Sequence, residues 1–214
     1  MSLTVAEQIH DGIQQLGIGL ATGSEEKFVT YLGLLAKWNR VYNLTAVRDE
    51  NAMVSRHLLD SLAVLAYLDA TSNVLGTLAD VGSGGGLPGI PLAIARPQLK
   101  VELIEASHKK ASFLQQAKIE LELNNVSIHC GRVESFKPKT HFDVVISRAF
   151  SSLADFVQLA GHLLAPTGYL LAMKGVYPEE EIQQLPPGWK MLESVPLVVP
   201  ELKAERDLIV IGKS

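Results

Sequence analysis

Residues 78–92 constrain the fold of this chain more than any other stretch, because their character changes twice. Residues 78–81 are apolar apart from Asp80 and suit a buried strand. Glycine then occupies positions 82, 84, 85, 86 and 89, and glycine permits a turn in which the backbone approaches a ligand closely. An apolar helical pattern resumes through Ile94. A strand, a glycine turn and a helix in this order predict a nucleotide-like ligand at the helix N-terminus.

An acidic residue just before the glycines narrows the choice of ligand. Asp80 lies two residues before Gly82, and Gly84 and Gly86 continue the alternation. A carboxylate there would repel a pyrophosphate and attract a cationic group. S-adenosylmethionine carries a sulfonium and an α-ammonium group, so this pattern favours it as the cofactor. In a second frame, Gly84, Gly86 and Gly89 match the dinucleotide-binding fingerprint, which leaves a nicotinamide-dependent oxidoreductase as an alternative.

A second acidic residue supports a nucleotide-like ligand without choosing between these two cofactors. Residues 100–105 form the next predicted strand, which ends in Glu105. A carboxylate about twenty residues beyond such a glycine turn binds the ribose hydroxyls of an adenosine ligand. We therefore include Glu105 in the predicted cofactor site.

The composition predicts a cytoplasmic protein that folds around a full core. The chain has 214 residues, of which 47% are hydrophobic and 20% charged. A single cysteine, Cys130, excludes an internal disulfide, and its place in an apolar segment predicts a small buried side chain. No apolar run reaches membrane-spanning length, so no membrane partner is expected. The net charge of −4 means that any surface for RNA must be a local patch.

Residues 1–73 are predicted to form a helical N-terminal region. Val5, Ile9, Ile13 and Leu16 recur at helical spacing. Residues 24–27 resemble the start of a second helix with Ser24 as its cap, and Asp49 could cap a third. We place the boundary of the region at residue 73.

Residues 74–214 are predicted to form an α/β domain of the class I S-adenosylmethionine-dependent methyltransferase type. Strands are predicted at 75–81, 101–105, 126–130 and 142–147, and they alternate with helices at 87–95, 108–122 and 153–164. This alternation is typical of a Rossmann-like, mostly parallel sheet. Further strands are predicted at 168–174, 197–199 and 208–211, with little helix between them. A C-terminal antiparallel hairpin of this kind is found in methyltransferases and weighs against a dehydrogenase.

Four segments of the chain, residues 37–45, 56–61, 80–92 and 147–149, carry a resemblance to a known family. In order and content they resemble the bacterial small-subunit ribosomal RNA guanine-N7 methyltransferase family, also called the glucose-inhibited division protein B family. The resemblance implies methylation of N7 of a guanine in the decoding region of 16S ribosomal RNA, with S-adenosylmethionine as cofactor. The implied partner is small-subunit ribosomal RNA or the ribosomal subunit, and we expect a monomer.

The same resemblance implies roles for individual residues. Gly82 and Leu87 match the cofactor-binding loop of the family. Val133 and Glu134 match the pair that contacts the adenine end of the cofactor. Arg148 matches an arginine beside the mouth of the active site. Together with Gly84 and Glu105, these residues make up the predicted cofactor site.

The chemistry at N7 predicts that no residue acts as a catalytic acid or base. Guanine N7 has an in-plane lone pair and no proton at neutral pH, so catalysis is mainly orientation. The chain has Ser147-Arg148-Ala149-Phe150 where amino-group methyltransferases often carry an Asn/Asp-Pro-Pro-aromatic motif. It also lacks a cysteine where carbon-5 pyrimidine methyltransferases need a nucleophile. We expect neither a covalent intermediate nor a metal ion.

Several cationic side chains are candidates for a phosphate-binding rim. Arg56, His57, Asp60 and Ser61 lie on adjacent helical turns, where they could form either a structural hydrogen-bond network or a wall of the RNA pocket. A non-catalytic ribosome-binding factor that retains the cofactor loop is a further alternative. The candidate cations for the rim are Lys37, Arg40, Arg48, Arg56, Lys109, Lys110, Arg132 and Lys174.

Overall fold

A computed structural model of the chain describes residues 3–71, 76–148 and 150–214. The predicted boundary at residue 73, the predicted strand start at Leu75 and Ala149 of the resemblance lie outside these residues. Across the described ranges, no helix is long and apolar enough to cross a bilayer. The N-terminal part contains α1 (Val5–Leu16), α2 (Ser24–Tyr42), α3 (Glu50–Met53), a π-helical segment (Val54–Leu59), α4 (Asp60–Leu62) and α5 (Leu65–Thr71).

The caps of these helices agree only partly with the sequence predictions. Asp49 caps α3 by accepting a hydrogen bond from the Ala52 amide at 3.3 Å, as predicted. The predicted Ser24 cap is wrong, because Gly23 occupies the N-cap position of α2. The Ser24 hydroxyl instead donates to the carbonyl of Ile94 at 3.3 Å, so it fastens α2 to the rest of the fold.

A seven-stranded sheet follows, and its strand order is β3-β2-β1-β4-β5-β7-β6. Strands β1 to β5 run parallel, whereas β7 is antiparallel to both β5 and β6. The predicted sheet with a C-terminal antiparallel hairpin is confirmed. The strands are β1 (Thr77–Val81), β2 (Lys100–Glu105), β3 (Val126–Cys130), β4 (Phe142–Ser147), β5 (Leu164–Lys174), β6 (Trp189–Pro196) and β7 (Asp207–Lys213). The remaining α-helices are α6 (Gly89–Ala95), α7 (His108–Glu120), α8 (Leu153–Ala160) and α9 (Glu179–Gln183).

The register of the parallel strands brings their carboxyl ends to one edge of the sheet. Val81 pairs with Ile104, and Glu105 pairs with Cys130 on the next strand. On the other side of β1, Ser147 at the end of β4 pairs with Ala172 near the end of β5. Ligands of open α/β sheets bind at this edge.

The first strand of the hairpin differs from its prediction. The strand lies at Trp189–Pro196, whereas residues 197–199 are a loop that follows it. Leu197 and Val199 are buried in the main core, and this produced the apolar pattern that predicted a strand. Much of β6 is exposed at the sheet edge, so its sequence lacks a continuous apolar pattern.

Two hydrophobic clusters cover the two faces of the sheet. The larger cluster joins the N-terminal helices to α6, α7 and one sheet face, and it contains Tyr31, Leu35 and Phe113. The smaller cluster packs α8 against the other face around Phe156. The helices of residues 5–71 therefore share a continuous hydrophobic core with the sheet. They also contact the edge at which the parallel strands end.

The predicted burial of Cys130 is wrong. Cys130 ends the edge strand β3 and is exposed, with Sγ 3.2 Å from His108 Nδ1 at the start of α7. An edge strand is covered on one side only, so its apolar pattern does not guarantee burial of every member.

Candidate active site

The glycine turn between β1 and α6 has a backbone that only glycine adopts readily. Gly82, Gly84 and Gly86 have φ angles of 72°, 57° and 84°. Glu105 supports the turn from the end of β2, because its Oε2 accepts a hydrogen bond from the Gly84 amide at 2.8 Å. Glu105 Oε1 accepts from the Ser107 amide at 2.8 Å. One carboxylate thus holds the turn and the start of α7 together.

A cavity of about 230 Å³ opens beside this carboxylate. Its apolar walls suit a purine ring, and the carboxylates can accept hydrogen bonds from ribose hydroxyls. The two acidic residues against a single arginine disfavour a ligand that would place a pyrophosphate here. The donors and acceptors therefore fit the adenosine part of S-adenosylmethionine. The cavity is lined by Val81, Gly82, Ile104, Glu105, Ala106, Gly131, Arg132, Val133, Glu134 and Phe150.

Asp80 lies behind the turn and does not line this cavity. It is fully buried, and its Oδ2 accepts a hydrogen bond from the Gly89 amide at 2.9 Å, whereas Oδ1 has no partner among the described residues. Burial raises the pKa of Asp80 to about 7, against the opposing effects of the Gly89 hydrogen bond and the Arg148 charge. Asp80 therefore anchors the start of α6, a role that the sequence pattern did not indicate.

Helix α2 also holds the turn. The Tyr31 hydroxyl donates to the carbonyl of Gly85 at 2.5 Å, and burial raises the pKa of Tyr31, which keeps this hydroxyl a donor. A Cβ on Gly85 would lie 3.0 Å from Leu35 Cδ1. The N-terminal helices thus help to shape the predicted cofactor loop.

A larger cavity, of about 820 Å³, lies at the carboxyl ends of β4 and β5. Its volume falls within the roughly 300–1,000 Å³ typical of ligand sites. Five cationic and two acidic residues line it, which makes it a local positive site in a chain of net charge −4. The charged residues of this lining are Arg56, Asp60, Arg148, Lys174, Glu201, Lys203 and Arg206.

A buried carboxylate organises two of these cations. The Asp60 side chain is 2% exposed, and its Oδ2 accepts from Arg148 Nη1 at 2.9 Å. Its Oδ1 accepts from Arg206 Nε at 2.7 Å. Paired charges of this kind offset the desolvation of a buried carboxylate, which is unfavourable when unpaired.

Comparison with known proteins identifies the family. The family model described as rRNA small subunit methyltransferase G matches residues 24–210. The chain belongs to this family. A relative named ribosomal RNA small subunit methyltransferase G from Azoarcus sp. is 54% identical over 208 residues, covering 97% of this chain and 96% of that protein. A relative of the same name from Aromatoleum aromaticum is 53% identical over 213 residues, covering 98% and 99%.

The fold of this methyltransferase family member also matches solved structures. A methyltransferase from Thiobacillus denitrificans, solved in complex with S-adenosyl-L-homocysteine, superposes with a TM-score of 0.55 at 15% identity. The match covers 82% of this chain and 98% of that one. At this identity the likeness concerns the fold, and it confirms the predicted class I methyltransferase architecture.

The structure places the seven predicted cofactor residues in three positions. Gly82, Glu105, Val133 and Glu134 line the smaller cavity. Gly84 is bonded to Glu105, and Leu87 is a buried residue of the turn itself. Arg148 lines the larger cavity, so five of the seven residues line one cavity or the other.

In this family member, three of the eight candidate cations of the predicted phosphate rim line one of the two cavities. Of the eight candidate cations, Arg56 and Lys174 line the larger cavity and Arg132 lines the smaller one. Lys174 Nζ is paired with Glu181 at 2.8 Å, so part of its charge is balanced within the protein. Lys203 and Arg206 were missed, because the β6–β7 connection carries no motif that ties it to this edge.

The structural hydrogen-bond network that the sequence allowed is present at His57 and Asp60, and both residues also line the larger cavity. His57 Nδ1 lies 2.9 Å from the carbonyl of Arg56, so Nδ1 carries the hydrogen. In the neutral ring Nε2 is then the acceptor for the Thr45 hydroxyl, at 2.7 Å. Asn39 extends the network by accepting from the Thr45 amide at 2.9 Å.

The π-helical segment explains how this network reaches the sheet. The Asp60 amide, which in an α-helix would bond to the Arg56 carbonyl, bonds to the carbonyls of Ser55 and His57. The Arg56 carbonyl accepts instead from His57 Nδ1 and, at 3.3 Å, from Arg148 Nη1. Single π-turns of this kind recur at functional sites.

We expect His57 to make folding stability fall as the pH falls below about 6.5. Burial, with the Arg148 charge adding to it, lowers the pKa of His57 from 6.5 to about 4. The unfolded chain then binds a proton that the folded protein excludes, so stability present above pH 6.5 is lost towards pH 4. Urea titrations measure the free energy of unfolding of the wild type and of His57→Gln. The free energy of unfolding of the wild type relative to the variant should be roughly 3 kcal/mol lower at pH 4 than at pH 7. An unchanged difference would contradict a neutral His57 in the folded protein.

Proposed function

We propose that the protein transfers a methyl group from S-adenosylmethionine to N7 of a specific guanine in the decoding region of 16S ribosomal RNA. Family membership over residues 24–210 is the observation that carries this proposal. Two cavities support it, since one suits adenosine and the charged residues that line the other are mainly cations. The oxidoreductase alternative finds no support in the sheet order, where an antiparallel β7 lies between β5 and β6.

The cofactor site of this proposal contains the residues expected from the sequence. Glu105 accepts hydrogen bonds from the ribose, and Val133 and Glu134 contact the adenine end. Gly82, Gly84 and Leu87 shape the turn that passes the methionine part. Arg148, which lines the larger cavity and follows the end of β4, pairs with the methionine carboxylate.

In this proposal the chain contributes orientation and no acid or base. When bound, S-adenosylmethionine supplies an electrophilic methyl group on a sulfonium. Guanine N7 needs no deprotonation, so the residues of the larger cavity must hold the base in line and exclude water. His57 is unsuited to proton transfer, because both of its ring nitrogens are engaged and its pKa is lowered to about 4. Transfer is direct, with no covalent intermediate.

We also propose that the protein works as a cytoplasmic monomer on the RNA or the ribosomal subunit. The cytoplasm is where the protein would meet a ribosomal RNA substrate. The positive charge gathered at the larger cavity supports RNA contact in a chain whose total charge is −4.

The test uses purified protein, radiolabelled S-adenosylmethionine and small-subunit particles from cells that lack this modification. We expect label on guanine N7 in the decoding region, located by base-resolved mapping. Deproteinised small-subunit RNA, tested in parallel, separates a free-RNA substrate from an assembled one. Particle binding without label would favour the non-catalytic factor, and label on another base would overturn the N7 assignment.

A further inference from the structure

Asp60 joins three parts of the fold that are far apart in sequence. It lies on α4, whereas Arg148 follows β4 and Arg206 lies in the connection between β6 and β7. Each carboxylate oxygen serves one arginine, at 2.9 Å and 2.7 Å. Because Asp60 is 2% exposed, a single buried group sets the position of both guanidinium groups.

Both arginines line the larger cavity, but Arg148 is also tied to the edge of the smaller one. Arg148 directly follows Ser147, whose hydroxyl donates to the Val81 carbonyl at 2.7 Å, and Val81 lines the smaller cavity. Arg148 is therefore close to the proposed cofactor. Arg206 lines the larger cavity together with Lys203 of the same connection and Arg56 of the π-helical segment.

Arg206 retains the capacity to bind an anion. Its Nε donates to Asp60 and its Nη1 to the Glu205 carbonyl at 2.7 Å, and within the described part of the chain its Nη2 donates to no protein acceptor. Two guanidinium charges share one carboxylate, which leaves an excess of one positive charge beside the cavity. A planar guanidinium is well suited to a phosphodiester oxygen.

We propose that Arg206 binds a backbone phosphate of the RNA substrate, and that Asp60 is the positioning residue that holds Arg206 on the RNA side and Arg148 on the cofactor side. This inference rests on the proposed function, because it takes RNA as the substrate. It assigns a phosphate subsite to the β6–β7 connection and makes one buried carboxylate common to both binding sites.

The phosphate subsite is tested by the salt dependence of binding. Binding of the full chain to small-subunit particles that lack the modification is measured at several salt concentrations, for the wild type, Arg206→Ala and Lys190→Ala. Lys190 is a matched charge control at the opposite end of β6 from the Arg206 connection. Arg206→Ala should weaken particle binding about tenfold and reduce the slope of log K against log salt by about 1, whereas Lys190→Ala should change neither. Equal slopes for both variants, or no salt-dependent binding by the wild type, would overturn the subsite.

The positioning role is tested with Asp60→Asn, which keeps the shape of the side chain but removes its charge. We expect about tenfold weaker binding of both S-adenosylmethionine and particles, whereas Arg206→Ala should leave the cofactor dissociation constant unchanged. In the double variant, the loss of particle binding should be no larger than the greater of the two single losses, because Asp60 acts through Arg206. Additive losses would overturn the positioning role. Asp69→Asn, which removes a carboxylate from the exposed pair with Arg96, is the matched control and should alter neither ligand.

These outcomes are separate from those that decide the proposed function. Binding with the predicted salt slopes but no label at guanine N7 would overturn the methylation proposal and leave the subsite intact. Correct labelling with an unchanged slope for Arg206→Ala would do the reverse. If Asp60→Asn fails to fold, Arg206→Lys replaces it: a lysine keeps the charge but lacks the Nε donor to Asp60, so particle binding should still weaken.

Discussion

Replacing Glu105 by glutamine is expected to raise the dissociation constant for S-adenosylmethionine about 100-fold. Both carboxylate oxygens accept backbone hydrogen bonds, from Gly84 and from Ser107, each at 2.8 Å. A glutamine amide can satisfy only one of these donors, and its NH₂ group would face the other. The change therefore loosens the glycine turn and removes an acceptor for the ribose hydroxyls.

Calorimetric titration of the cofactor measures this effect, and Glu102→Gln is the matched control. Glu102 lies on the same strand, but it lines a different cavity together with Thr77 and Lys100, which begin β1 and β2. The control should bind the cofactor as the wild type does. At saturating cofactor the Glu105 variant should recover most of its kcat, because Glu105 is proposed to bind the cofactor and to take no part in the transfer. A cofactor affinity within about twofold of the wild type would remove Glu105 from the site.

Local signals account for the parts of the fold that the sequence predicted correctly. The alternation of apolar strands with helical segments defines the parallel sheet, and the glycine turn follows from residues adjacent in the chain. Glu105 was predicted because its distance from the glycines is set by one intervening helix. Gly82, Val133 and Glu134 line the same cavity because the parallel strands end at a common edge.

Contacts between distant segments could not be predicted in this way. Arg206 and Asp60 are 146 positions apart, and nothing in the neighbourhood of either residue indicates the other. The sequence shows that Asp80 is acidic, but it does not show where the side chain points. Its hydrogen bond to the Gly89 amide depends on how α6 packs on β1. Strand β6 was misplaced because an exposed edge strand has no continuous apolar pattern, whereas the buried loop after it has one.

The second large effect is expected at Gly89, where alanine should destabilise the folded protein by about 3 kcal/mol or more. A Cβ at this position would lie 2.3 Å from Leu103 Cδ2 and 2.8 Å from Asp80 Oδ2. Leu103 is fully buried on β2, so neither it nor Asp80 can move aside without disturbing the sheet. Displacing Asp80 would also break its bond to the Gly89 amide, and its Oδ1 already lacks a partner among the described residues.

Gly33→Ala is the matched control substitution, and its expected effect on the free energy of unfolding has the opposite sign. Gly33 lies within α2 and is exposed, and an added Cβ would meet no atom within 4 Å apart from the neighbouring backbone of its own helix. Alanine there should stabilise the protein by about 0.5–1 kcal/mol, because it lowers the backbone entropy lost on folding. Urea titration at constant pH measures both variants. If Gly89→Ala were as stable as the wild type, Asp80 would not be the anchor of α6. The support of the proposed cofactor loop would then rest on Glu105 and Tyr31, which bond to Gly84 and Gly85.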